Sequence, residues 1–393
     1  MVTTTDTARP AVLEAVRELV PTLRANGAEA DANGWIPQEN IDLLGQAGVF
    51  AMAVPGRFGG LDLPLAEKAA VLTEIARGCP STGWVSMVWV STAWMVSLFP
   101  DKAQEEVYGS GAVRVSGGFT PGGTLTPVDG GYRLSGTWRF NTGSKAADWN
   151  MMAAVVAGPD GPVGESVALV PLSDMTLADD WDVSAARGTG SVSSTATDVF
   201  VPAHRVADAE KAVLGTLDDR SNTGATGRDY CLYPLVLAES LAAFVGMARG
   251  AYELFTGRLN GRGISYSSWT DQSAHPLTHV QVATAANKIT AAEAMLDRMV
   301  GVIQRRADEG VQPTWEERAD IRGQSAFAIE LAKEAVDLLY NASGATVIAR
   351  NVPLQRFQRD VRGMGQHGLL NVTTGLEVQG RVLLGLDPQN YFL

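Results

Sequence analysis

Gly131-Tyr132-Arg133-Leu134-Ser135-Gly136-Thr137-Trp138-Arg139-Phe140-Asn141-Thr142-Gly143-Ser144 is the stretch on which the reading of the whole chain turns. Tyr132, Leu134, Trp138 and Phe140 alternate with Arg133, Ser135, Thr137 and Arg139, and Gly136 falls on the apolar side. A period of two over nine residues predicts a half-buried strand over Tyr132–Phe140. Asp129-Gly130-Gly131 before it is a turn signal. Further strands are expected at Met151–Ala157, Ser166–Leu172 and Ser191–Val201, with the first strand signals near Val113.

On both sides of this β region the period changes. From Ala11 to about Tyr108 the segments read as helices, broken at Val54-Pro55-Gly56 and Gly59-Gly60. Beyond a polar loop at Asp218–Arg228, Val282, Ala285, Ile289, Ala292, Leu296, Met299 and Ile303 recur every three or four residues, one face of a long helix. Ala326–Tyr340 and Val372–Leu384 read as two more. The fold class expected is therefore α+β, mainly α, with helices, then strands, then a helical bundle.

The 393 residues, 46% of them hydrophobic, suffice for a sizeable core. A net charge of −12 argues against nucleic acid or an anionic membrane as partner. Cys79 and Cys231 form no C-x-x-C, which fits a reducing cytoplasm. Met1–Pro10 lacks the pattern of a signal peptide. Trp84–Phe99 is apolar but carries Ser86, Ser91, Thr92 and Ser97, so a buried helix is expected there rather than a membrane span. Trp84, Trp89 and Trp94, five residues apart, do not share one helix face, and core packing is their expected role.

Several common chemistries lack their residues. His275 and His279 stand four apart, but Pro276 lies between them and no third ligand accompanies them, so no metal site is expected. No G-x-S-x-G elbow or Walker loop occurs, and no convincing G-x-G-x-x-G follows an expected strand. Small and hydroxyl-bearing residues cluster instead at expected strand ends: Val115–Gly123, Gly136–Ser144 and Arg187–Ser191. Glycine permits close approach to a flat ligand, hydroxyls bond its edge, and aromatics cover its face. Taken singly, each segment reads equally as a tight turn.

Their order resembles the acyl-CoA dehydrogenase superfamily. Val54-Pro55 through Phe58-Gly59-Gly60 is similar to its "P-x-x-x-G-G" segment, and Gly136–Thr142 to its "G-x-K-x-W-I-T" strand. Val199-Phe200-Val201-Pro202 is similar to its "V-x-V-P" exit, and Ser343-Gly344-Ala345 with Arg359-Asp360 to its "G-G-x-G … R-D" close. The resemblance implies an N-terminal helical domain (1–112), a middle β-barrel or sandwich (113–212) and a C-terminal four-helix bundle (213–393).

Dehydrogenases of that superfamily place a catalytic Glu shortly after Arg-Asp, where this chain has Gly368; Glu239 is the nearest alternative base. Arg359-Asp360-Val361-Arg362 followed by His367, with Gly188-Thr189-Gly190-Ser191, resembles instead the two-component flavin monooxygenases, including aromatic hydroxylases and nitrososynthases. That branch implies reduced FAD or FMN from a separate NAD(P)H:flavin reductase, O₂ as co-substrate, and oxygenation of a hydrophobic, aromatic or polycyclic metabolite through a flavin C4a-hydroperoxide. It also implies a homotetramer.

By the strand match Thr142 would bond flavin N5, and His367 would serve the peroxide or the substrate as acid or base. The cofactor residues implied are Ser116, Gly117, Gly118, Trp138, Phe140, Thr142, Ser144, Ser191, Ser343 and Gly344. Trp89, Thr92, Phe119 and Glu239 would line the substrate pocket. No histidine stands near Ser91-Thr92, where phenol hydroxylases of the branch carry one, which counts against phenol-type activation. An acyl-CoA dehydrogenase or oxidase, and a flavin- or CoA-binding scaffold without catalysis, are the other readings.

Overall fold

A computed structural model describes residues 5–109, 111–390 and 392–393. The first four residues of the segment read as lacking a signal peptide lie outside them. Five helices come first: α1 (Thr5–Asn33), α2 (Gln38–Gln46), α3 (Leu65–Gly78), α4 (Pro80–Met95) and α5 (Asp101–Tyr108). Eight strands follow: β1 (Val115–Gly118), β2 (Gly123–Val128), β3 (Gly131–Trp138), β4 (Trp149–Gly158), β5 (Gly161–Pro171), β6 (Thr176–Leu177), β7 (Ser194–Pro202) and β8 (Val206–Asp208). The chain closes with α6 (Ala209–Leu214), α7 (Leu232–Thr256), α8 (Pro276–Asp308), α9 (Trp315–Ala342), α10 (Pro353–Met364) and α11 (Val372–Leu383). The order of helices, strands and helices is the one expected.

Local chemistry sets several ends. Pro276 occupies the first turn of α8, where its missing N–H is harmless. Thr314 and Glu317 form a reciprocal capping box on α9, and the Asn371 side chain accepts from two backbone N–H groups of α11.

The strands form one sheet in the order β6-β7-β3-β2-β4-β5-β8, with β1 beside β4. The sheet curls around its own core of Leu125, Leu134, Trp138, Met152, Ala154, Ala168, Val170, Ala196 and Val201. The helical ends do not have separate cores. Residues of α1, α3 and α4 share one apolar cluster with α7, α8, α9 and α10. Gly246 of α7 lets α3 come close, since a Cβ there would stand 2.1 Å from the Thr73 carbonyl.

Helix α4 is the axis of this arrangement. It is apolar on all sides and buried almost throughout, as such a helix must be. Trp84, Trp89 and Trp94 are all core residues. Trp84 meets Phe244, Trp89 meets Trp35 and Phe50, and Trp94 meets Tyr230. Among the described residues the helix long and apolar enough for a membrane is α7 rather than the Trp84–Phe99 stretch, and 78% of its most apolar window is buried inside the protein.

One expectation about the deciding strand is corrected. The alternation predicts Phe140 on the same face as Tyr132, Leu134 and Trp138. The ladder ends at Trp138 opposite Ser194, and Phe140 turns into the left-handed region with φ 57°. Alternation stops where the ladder stops, so Phe140 is 70% exposed.

Candidate active site

The strand-end corner after Trp138 is held from beneath by a buried amide. Asn141 donates to Asn150 Oδ1 (3.0 Å) and Ser194 Oγ (2.6 Å), and its own Oδ1 accepts from Ser116 Oγ. Ser116 also reaches the Thr142 carbonyl at 2.6 Å. With all four side chains fully buried, these bonds define the corner's shape, because breaking one would strand a polar group away from water. The corner presents Phe140 outward in a conformation that a bulky residue rarely adopts without a functional reason. Trp181 meets its ring edge-on at 5.7 Å, and Phe119 is 47% exposed.

Thr142, between β3 and β4, ties the corner to the loop before β7. Its hydroxyl lies 2.7 Å from Ser191 Oγ, which lies 2.7 Å from Thr189 Oγ1. Asp360 of α10 fastens that loop, taking the Ala186 N–H at 2.7 Å and the Ser81 hydroxyl of α4 at 3.2 Å. Arg187 adds bonds to the Asp31 and Val183 carbonyls. Gly188 packs on Ser81 and Ala30, where a Cβ would collide at about 3 Å with both.

Burial pushes the Asp360 carboxyl up to about 6, against the opposing pull of the Ala186 N–H and Arg359. A raised acid pKa means stability that is full below the unfolded value, near 3.8, and lost as pH rises through about 6. Asp360→Asn keeps an acceptor for Ala186 without the titration. The stability of the natural protein minus that of Asp360→Asn is expected to fall by about 3 kcal/mol between pH 3.8 and pH 7. Denaturation of both proteins across that range checks the sign, and a difference independent of pH would contradict it.

His367 lies just beyond α10. Its ring meets Trp84 at 6.1 Å, and Nδ1 accepts the Leu369 N–H at 3.3 Å. His367 is an exposed residue whose ring is nonetheless crowded by protein. Burial, and then the charge of Arg322, hold its pKa below the usual histidine value. At neutral pH it is therefore uncharged, and with Nδ1 accepting, the hydrogen sits on Nε2. Trp89 Nε1 bonds the Gly143 carbonyl at 3.1 Å. The Thr142 corner and His367 thus both abut α4, at residues about 7.5 Å apart along its axis.

Other candidates move. Trp138 is a core residue, its Nε1 bonded to the Ala153 carbonyl, because the ladder carries it inward. Gly117 and Gly118 make room for protein rings: a Cβ would stand 2.6 Å from Phe119 and 2.8 Å from Trp138. Thr92 is buried within α4. Glu239 is neither a free base nor an open pocket residue. It pairs with Lys68 Nζ at 2.9 Å and accepts from Ser91 Oγ, with both ionic side chains 0–1% exposed.

Ser343 and Gly344 lie after α9, beside Arg262, which bonds the Ser343 carbonyl and Thr346. Arg258 also reaches Thr346. Neither arginine has a carboxylate partner among the described residues, so the pair suits a phosphate. The sequence reading missed Asn141, Thr189 and these arginines; the hydroxyl and amide enrichment of both strand-end segments was the available signal.

The residues of the corner fit a flat heteroaromatic cofactor. Ser144 Oγ is buried beside Thr142 with no hydrogen-bond partner among the described residues, and Phe140 and Phe119 are exposed aromatic side chains. Two clefts lie elsewhere, of about 530 Å³ around Phe50, Arg114 and Trp149 and about 490 Å³ around Glu74, Arg249 and Glu293. Neither is lined by Thr142 or His367.

Comparison with known proteins agrees. Residues 7–115 match the family described as acyl-CoA dehydrogenase, N-terminal domain, and residues 239–372 its C-terminal domain. A pigment production hydroxylase of Rhodococcus sp. is 30% identical over 98% of this chain and 99% of that relative. The oxygenase subunit HsaA of a flavin-dependent monooxygenase from Rhodococcus jostii is 31% identical over 89% and 92%. The structure of XiaF from Streptomyces sp., in complex with FADH2 and glycerol, superposes with a TM-score of 0.91 at 29% identity, covering 98% of both chains.

Proposed function

The chain belongs to the acyl-CoA dehydrogenase family, in its flavin-dependent monooxygenase branch, and from that premise we propose that it oxygenates a hydrophobic, aromatic or polycyclic metabolite. The observation that carries this reading is the hydroxyl-lined corner ending at Thr142 beside exposed Phe140. Reduced flavin, when bound, supplies the two electrons that activate O₂. Thr142 and Ser144 would hold its ring edge, Phe140 and Phe119 would cover its faces and exclude water, and Arg258 and Arg262 would take a phosphate. His367, uncharged and donating from Nε2, would orient a substrate oxygen or nitrogen. In one microscopic respect this differs from a general base, since Nε2 already carries a hydrogen.

Dehydrogenation of an acyl thioester needs a carboxylate at the α-carbon. Gly368 cannot provide one, and Glu239 is tied to Lys68 inside the core. A homotetramer is the assembly we assign, with the exposed Phe327, Leu376, Leu383 and Leu384 of α9 and the α11 region as apolar contact surface. A cytoplasmic location fits the two unpaired, buried cysteines.

The separate reductase follows from the missing nicotinamide motif and from relatives named as oxygenase subunits. With NADH, oxidised flavin and this protein alone, no product is expected. Adding a flavin reductase should give a product one oxygen heavier in a mass-spectrometric screen of aromatic candidates. Full turnover without the reductase, or oxidation of acyl-CoA with no oxygen gained, would reject the assignment.

A further inference from the structure

Four groups stand in single file from the loop to the corner. The Thr189 hydroxyl is 2.9 Å from the Ala186 carbonyl, Ser191 is 2.7 Å from Thr189, and Thr142 is 2.7 Å from Ser191. A hydroxyl donates one hydrogen and accepts others, whereas a carbonyl only accepts. The Ala186 carbonyl, which also accepts the Thr189 N–H at 3.1 Å and Trp181 Nε1 at 3.2 Å, therefore takes the hydrogen of the Thr189 hydroxyl. Thr189 then offers Ser191 only lone pairs, so the Ser191 hydrogen points to Thr189. By the same step Thr142 donates to Ser191.

The file ends in a Thr142 oxygen whose hydrogen is engaged and whose remaining lone pair is free. Reversing it would press two oxygens together lone pair to lone pair. Thr189, Ser191 and Thr142 are all buried, so no bulk water relieves such a contact. The end of the file is itself fixed, because the Ala186 N–H is held by Asp360 and the residue sits at φ 55°.

We propose that this file makes Thr142 a one-way acceptor, and that Thr189 and Ser191 are positioning residues which select reduced over oxidised flavin. Reduced flavin carries a hydrogen at N5, which an acceptor welcomes. Oxidised flavin has a lone pair there, which an acceptor repels. The inference rests on the reading that Thr142 faces N5, and it adds the direction of the bond and the residues that impose it.

The test measures the dissociation constants of oxidised and of anaerobically reduced FAD, and of FMN likewise, on the full-length protein. The natural protein should bind the reduced form more tightly. Thr189→Val keeps the shape but removes the terminal donor, so Ser191 and Thr142 still touch and can point either way. The ratio of oxidised to reduced dissociation constants is expected to fall about tenfold. The midpoint potential of bound flavin would drop correspondingly by about 30 mV.

Thr189→Ser restores the hydroxyl and should restore the ratio. If Thr189→Val does not fold, Ser191→Ala reads the same effect, since Thr142 is then free to turn its hydrogen outward. A ratio unchanged within twofold in these variants, while Thr142→Val alters it, overturns the directional file and leaves the N5 reading standing. A ratio unchanged in Thr142→Val as well means that Thr142 does not face N5, and both readings fall together.

Discussion

Lys68→Met is expected to cost about 3–5 kcal/mol of folding stability. Lys68 and Glu239 sit 2.9 Å apart where α3 and α7 pack, at 1% and 0% side-chain exposure. Removing the ammonium leaves a carboxylate in the core with only the Ser91 hydroxyl as hydrogen-bond donor. Isolated charge in a low-dielectric interior is far more costly than the pair is favourable. Methionine matches the lysine stem in length, so lost packing contributes little. The double variant Lys68→Met with Glu239→Gln should therefore recover most of the loss, because no uncompensated charge remains and an amide oxygen still accepts from Ser91. Denaturant titrations of both variants at one protein concentration would show it. A single-variant loss under about 1 kcal/mol, or no recovery in the double variant, would mean that the charges are screened in some other way.

Thr142→Val should speed the release of hydrogen peroxide after reduced flavin meets O₂ by roughly five- to tenfold, or more, with less product formed per flavin oxidised. Valine keeps the shape of threonine and loses the oxygen at the end of the hydroxyl file. One hydrogen bond to the bound cofactor disappears, and the activated oxygen is lost sooner as peroxide. The contrast is His367→Ala. With no substrate present, Thr142→Val should already release peroxide faster, while His367→Ala should match the natural protein. With substrate, both should yield less product. Peroxide release at the natural rate in Thr142→Val would place the Thr142 side chain away from the cofactor. Full product yield in His367→Ala would return that histidine to a packing role against Trp84.

The arginine pair and the apolar surface of the α9 and α11 region show how far a single chain carries the site. Arg258 and Arg262 gather around Ser343–Thr346, at the far end of α9 from its capping box. Among the described residues no hydrogen bond joins that cluster to the Thr142 corner. Two half-sites brought together by a second copy would be a simple arrangement for a ligand with a ring at one end and phosphate at the other.

The sequence alone determined what depends on neighbours along the chain. Periods of 3.6 and 2 separated helices from strands, because a residue's face within an element follows from its spacing. Glycine and hydroxyl residues at strand ends marked the corner at Thr142, and the missing nicotinamide and nucleophile motifs narrowed the chemistry. Tertiary structure decided what depends on partners distant in sequence. Nothing local to Glu239 announces Lys68, so a carboxylate that reads as a base on paper is an ion-pair partner in the core. Alternation carried Trp138 and Phe140 to the same face, yet the ladder ends between them, burying one ring and exposing the other. The direction of the hydroxyl file was also invisible, since it is imposed on Thr142 by a carbonyl in another segment through two intervening side chains. Periodicity is a property of one element, whereas hydrogen-bond polarity and charge pairing are properties of the contacts that folding creates.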